Sequence, residues 1–97
     1  MLRIVVRRAE GLVRKGAEYK GPCAVIATVC DEGPAGTRQR GRTQAVPRER
    51  GAGSWTWGAA GEELVFRDVA GATCVLECVA PRSAFSREAT LGAATLT

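Results

Sequence analysis

The sequence predicts an all-β fold, an antiparallel β-sandwich. Three observations carry that expectation. Apolar residues recur at every second position in several short runs, the period of a half-buried strand. Glycine and proline punctuate those runs at short intervals. No stretch carries a convincing helix pattern: Ser86–Thr95 holds some helix formers, but Gly92 and the threonines weaken it.

The elements follow in order. Leu2, Ile4 and Val6 alternate with Arg3, Val5 and Arg7, which reads as a first strand. Ala9–Leu12 leaves it, and Val13–Pro22 reads as a charged loop with glycine and proline breakers. Ala24–Cys30 is apolar enough to be a central second strand. Asp31–Gly41 reads as a loop, Arg42–Val46 as a short strand, and Pro47–Gly53 as a break. Ser54–Trp57 is a strand fragment. Trp55 is expected to anchor the core. Trp57 shares its face unless the following Gly58–Gly61 segment bends the strand and half exposes it. Leu64 and Phe66, with Val69 after them, mark another short strand. Cys74–Ala80 is a clear strand in which Cys74, Leu76, Cys78 and Ala80 face the core and Glu77 faces solvent. Pro81–Thr90 is a loop, and Leu91–Leu96 closes a count of about seven strands.

Ninety-seven residues make one domain. A chain this short buries about 60–65% of its unfolded surface, so its stability margin is thin. With five aromatic residues, the core must be mostly Val, Leu, Ala and Cys. The net charge is +4, and twelve of the fourteen basic residues are arginine. Guanidinium is a planar fork that pairs bidentately with phosphate or carboxylate. A mildly basic domain fits an anionic membrane, nucleic acid or an acidic protein face, or simply a solvated surface. Arg3, Arg7 and Arg8 follow Met1 with no long apolar run, so neither a signal peptide nor a membrane span is expected, and a soluble, cytoplasmic chain is.

The four cysteines do not read as a zinc site. Cys74 and Cys78 share one face of a strand about 13 Å apart, too far for a common metal or a mutual disulfide. Cys23 and Cys30, seven apart, point to opposite faces. All four read as small apolar residues in a reducing compartment. Catalysis finds no support either. There is no histidine to act as general base, Ser54, Ser83 and Ser86 lack a nucleophile-elbow context, and no glycine-rich loop fits a phosphate cradle. No cofactor and no enzymatic activity are expected.

Several short motifs, in order, resemble a C2 domain. Leu2, Ile4, Val6, Ala9 and Leu12 match the family's first strand. Gly21-Pro22-Cys23 stands where Asp-Pro-Tyr is usual, Arg42-Thr43 and Ser54-Trp55 match later steps, and Phe85-Ser86-Arg87 precedes Leu91-Gly92 at the closing loop. The opening MLRIVV is similar to the first C2 domain of ferlins. The resemblance implies a C2-like sandwich of eight strands, of which the final one would follow Thr97 or come from a partner, leaving an open edge for β-augmentation or strand exchange. Methionine at residue 1 leads to the expectation of the amino-terminal domain of a longer protein.

C2 domains hold calcium with aspartates from two loops, because calcium takes ~6–8 oxygen ligands. Here the matching positions are Lys15 and Gly21 in the first loop. In the last loop they are Pro81, Ser83 and Ala89 by one count, or Arg82, Ala84 and Ala89 by the other. None is a carboxylate, so metal binding is not expected.

Two basic groups remain as candidates. Arg38, Arg40 and Arg42 alternate and share one face if their strand begins early, with Arg48 and Arg50 as an extension. The resemblance implies a polybasic patch for phosphoinositides or acidic proteins there; the bland reading is a solvated hairpin. Arg14, Lys15, Lys20, Arg82, Phe85 and Arg87 form an apical group in which Phe85 either touches a membrane or packs under its loop. No aromatic interleaves the arginines as nucleic-acid stacking would require. The expected function is a calcium-independent protein-docking module of a larger scaffold or membrane-trafficking protein. The alternative is binding of anionic phospholipid through the arginines.

Overall fold

The computed structural model describes residues 2–31, 38–51, 53–67, 72–83 and 87–96. The fold is all-β and antiparallel, as the periodicity requires. Among the described residues ten strands are formed: β1 (Leu2–Val6), β2 (Arg8–Glu10), β3 (Val13–Arg14), β4 (Ala17–Glu18), β5 (Ala24–Asp31), β6 (Arg38–Arg42), β7 (Ser54–Thr56), β8 (Glu62–Phe66), β9 (Ala72–Ala80) and β10 (Ala89–Leu96).

One layer is a four-stranded sheet in the order β10-β9-β5-β6. β5 is central because both its faces are apolar. Val25, Ala27 and Val29 look inward, while Ala24 and Ile26 form a small outer cluster with Val79 of β9. Register places Val25 opposite Cys78, Ala27 opposite Leu76 and Val29 opposite Cys74. The inward face of β9 is therefore the one its alternation predicts. Against this layer pack two two-stranded ribbons, β1–β8 and β2–β7. Val6, Trp55, Trp57, Leu64 and Phe66 join the inner residues of β5 and β9 in one core.

Trp55 is 1% exposed and Trp57 is 3%, so the Gly58–Gly61 segment does not expose the second indole. Both indole N–H groups are satisfied: Trp55 Nε1 donates to the Gly21 carbonyl at 2.8 Å and Trp57 Nε1 to the Gln44 carbonyl at 2.9 Å. Tyr19 stacks on Trp55 with ring centroids 6.0 Å apart, and its hydroxyl donates to the Pro22 carbonyl at 2.6 Å. That hydroxyl would lie 2.6 Å from a Cβ at residue 21, so the close approach requires Gly21.

Two expectations need correction. The strands beyond the expected seven are β2, β3 and β4. Val13–Pro22 is not simply a loop. Val13 pairs with Glu18 and Arg14 with Ala17, around a two-residue turn at Lys15 (φ 53) and Gly16 (φ 80). Two positive φ values in succession are the geometry of a type I′ hairpin turn, whose twist matches its strands. The third sheet strand is Arg38–Arg42, not Arg42–Val46. Its ladder on β5 runs from Cys30↔Arg38 to Ile26↔Arg42. Beyond it the chain still borders β5, through Thr43, whose N–H donates to the Val25 carbonyl at 2.9 Å, and through a Cys23↔Val46 bridge. Val69 lies outside the described residues.

Candidate functional site

Arg38, Arg40 and Arg42 alternate along β6, and that parity turns all three to the outer face of the four-stranded sheet. They stand opposite Cys30, Thr28 and Ile26 of β5. Arg38 and Arg40 line a shallow depression of about 380 Å³ with Thr28, Cys30, Val75 and Glu77. Arg42 is not free: its guanidinium is paired with Glu88. Among the described residues Arg38 and Arg40 have no ion pair. Glu77, whose carboxylate accepts a hydrogen bond from the Thr90 hydroxyl at 3.3 Å, sits in the same depression and offsets part of their field.

The other predicted basic residues lie elsewhere. Arg48 does not extend the arginine face; it is turned to Glu18 of β4. Arg50 is exposed beside it in sequence. Arg14 and Lys15 sit on the β3–β4 hairpin, Lys20 is exposed after it, and Arg82 and Arg87 are exposed on either side of the β9–β10 connection. Phe85, and Ala84 with it, lie outside the described residues. Of the remaining degenerate calcium positions, Lys15 is at the hairpin tip, Gly21 is under Tyr19, Pro81 and Ser83 follow β9, and Ala89 opens β10. Among the described residues no group of three or more His, Cys, Asp or Glu is placed to hold a metal ion, and no helix is long and apolar enough to cross a membrane.

The feature that sequence reasoning could not place is a groove on the other side of the sheet. It has a volume of about 390 Å³ and is lined mainly by apolar groups, among them Ile4, Val6, Leu76, Cys78 and Ala94. One wall is the Ile4–Ala9 run of β1 and β2. The other is β10, an edge strand of its sheet. Arg7 and Arg8 stand in the lining as its cations, Arg8 paired with Glu10 at 3.5 Å. Among the described residues nothing pairs with the outer backbone edge of β10, which is eight residues long with no charged side chain. Ala93, Ala94 and Thr95 are exposed along it. Leu76 and Cys78, which the core would otherwise cover, remain half-buried at the floor.

The same floor brings two cysteines together that lie 55 positions apart in sequence. Cys78 opposes Val25, and Cys23, two residues before Val25 and just ahead of β5, belongs to the same core. Cys23 is fully buried, 0% exposed. A hydrogen bond from Cys23 holds the Cys78 thiol down to about 7, against the raising effect of its burial. The Cys23 thiol is raised by that bond and by its own burial. Burial likewise raises the Cys74 thiol. Spacing alone gave no signal for this pair, because it depends on cross-strand register.

No family model matches the chain, and no match is found among curated proteins or solved structures.

Proposed function

We propose that this chain is a calcium-independent, C2-like docking module that holds an extended segment of a partner protein along β10. The single observation that supports this is an uncharged edge strand of eight residues bordering an apolar groove. Natural sheets blunt exposed edges with charge, proline or short length, because a row of free N–H and C=O groups templates pairing with another chain. β10 has a bulge between Thr90 and Gly92 but none of the other devices. Backbone pairing supplies affinity in such recognition, and pockets for alternate side chains supply selectivity. The fitting partner is a strand with an apolar side chain at every second position to cover Leu76 and Cys78. A carboxylate at one end answers Arg7, which among the described residues has no ion pair. A second copy fits less well, since self-pairing at the groove brings like-charged arginines together.

A random twelve-residue peptide library displayed on phage tests this reading. Enriched peptides should carry apolar residues with period two, and their binding should slow amide exchange in β10. The double variant Ala93→Lys/Thr95→Lys should lose them. Peptides of helical i, i+4 spacing, or full retention by that variant, would sink the reading.

One observation favours a second reading, binding of anionic phospholipid: Arg38 and Arg40 line the same depression and have no ion pair among the described residues. Each basic residue near such a surface contributes ~1 kcal/mol, so two give weak attraction. Co-sedimentation with phosphatidylserine and phosphoinositide vesicles, with calcium and with chelator, separates the cases. Calcium-independent binding that disappears at high salt and in Arg38→Glu/Arg40→Glu would move the function to the arginine face.

A further inference from the structure

We propose that Gly92 is the specificity-determining position of the groove, and that the segment held along β10 carries one aromatic side chain at the residue that pairs with Gly92. The inference rests on the docking reading above and deepens it, by naming what the partner must present.

It starts from a glycine that has no reason inside the chain. Every other glycine among the described residues either adopts a positive φ or lies against the Tyr19 or Phe66 ring. Gly92 does neither. Its φ is outside the left-handed region, and a Cβ there would meet nothing within 4 Å. The irregularity between Thr90 and Gly92 does not require it, because the bulge that needs a glycine holds that residue left-handed. Glycine inside a strand weakens the strand and often marks a place where another chain comes close.

Register shows where the missing side chain would point. Gly92 opposes Cys78, and Cys78 opposes Val25. All three line the groove of about 390 Å³. This inward row therefore begins at the edge strand with no side chain, continues with a short thiol and ends on Val25. The empty position is the one next to the free edge, where an added strand would lie.

Reach and charge then select the occupant. A strand added to β10 runs two strand spacings, ~9–10 Å, from β9. Its residue paired with Gly92 projects to the same face, into the groove. To cover Gly92 and touch Cys78, that side chain must lie across the empty position. Aromatic and long side chains span such distances, and short branched ones do not. An aromatic on the neighbouring strand is the known compensation for a glycine at a sheet edge. Lysine and arginine have the length but meet a lining whose charged members are Arg7 and Arg8. An aromatic ring offers that lining the negative face of its π system.

The twelve-residue peptides selected on the whole chain are the probes. They should share one Phe, Tyr or Trp, and a nuclear Overhauser contact should join its ring to the Gly92 Hα. Replacing that aromatic by Leu should weaken binding about tenfold. Gly92→Val fills the seat with a residue suited to a strand. It should weaken the aromatic peptide by a similar factor and leave the Leu peptide unchanged, so that the two peptides bind this variant alike. Gly92→Ala, which adds only a methyl group, should give a smaller loss and keeps the test open if the valine variant folds poorly. Peptides that slow exchange in β10 but accept Leu or Ile in place of the ring would overturn the aromatic seat and leave docking standing. An aromatic whose loss costs the same in Gly92→Val as in the unaltered chain would also overturn it. If no selected peptide protects β10, the docking reading falls and the seat falls with it.

Discussion

The four-stranded sheet has two edges, and they are built in opposite ways. β6 is five residues long and reads RQRGR; β10 is eight long and reads ATLGAATL. Three arginines project from β6, and Gln39 on its inward side donates to the Arg67 carbonyl at 2.6 Å. Its Gly41 passes so close to β8 that a Cβ there would meet the Phe66 ring at 3.1 Å. β10 has no charge, and around its Gly92 there is nothing within 4 Å of a would-be Cβ. One edge is short, charged and covered. The other is long, neutral and borders an unfilled groove. Strand addition is blocked by the first arrangement and invited by the second. The comparison therefore separates two surfaces that composition alone cannot: a charged face on β6 and an uncharged backbone edge on β10.

The largest expected effect comes from stripping the cover off the β6 side. Phe66 is 3% exposed, and Phe66→Ala should cost about 3–5 kcal/mol in denaturant unfolding, through lost transfer energy and the cavity left behind. For a domain of this size that is a large share of total stability. A loss under ~1 kcal/mol would mean that β8 does not hold β6 down. Next is a matched pair of glycine substitutions. Gly41→Ala should destabilise by about 1 kcal/mol, because the Phe66 ring must give way. Gly92→Ala should be neutral or stabilise by ~0.4–1 kcal/mol, through the lower entropy of the unfolded chain. Equal costs at the two positions would erase the packing contrast between the edges. Smaller again is the Arg42–Glu88 pair. Its side chains are 44% and 34% exposed, so solvent screens it and Glu88→Gln should cost no more than ~1 kcal/mol. The same change frees Arg42, and binding to anionic vesicles should rise if the arginine face recognises lipid. No rise with all three arginines free would remove that reading from β6.

Much of this contrast was legible in the sequence, and the part that was not has a physical cause. β5 and β9 follow from their own alternation, since a strand buried on one or both faces declares it residue by residue. Arg38, Arg40 and Arg42 were placed on one face by period two alone, although the start of their strand was misplaced. The glycine and proline before Arg38 read as loop, and only the length of β5 explains why Arg38–Arg42 is laddered. The β3–β4 hairpin was missed because Lys15, unlike Asn or Asp, seldom takes a positive φ, so Lys15-Gly16 gives a weak turn signal. Arg48 was misassigned because its partner, Glu18, is 30 residues away. The groove and the Cys23–Cys78 pair depend on which strands become neighbours and in what register, and local pattern does not encode that.

The smallest expected change in stability is also the sharpest test of the contrast. Ala93 and Thr95 are exposed on β10 and oppose Glu77 and Val75, on the outer face. Lysine at both positions should leave stability within about ±0.5 kcal/mol, since surface substitutions away from packed features usually do. It also gives β10 the protection that the arginines give β6, because edge lysines oppose pairing with a further strand. Selected peptides should then no longer bind. A control places the same two charges on the other edge, as Gln39→Lys/Gly41→Lys. That variant should lose stability at the crowded Phe66 contact while leaving peptide binding at β10 intact in whatever fraction remains folded. If instead both double variants lose peptide binding equally per folded molecule, β10 has no special standing as an edge, and the docking assignment falls with it.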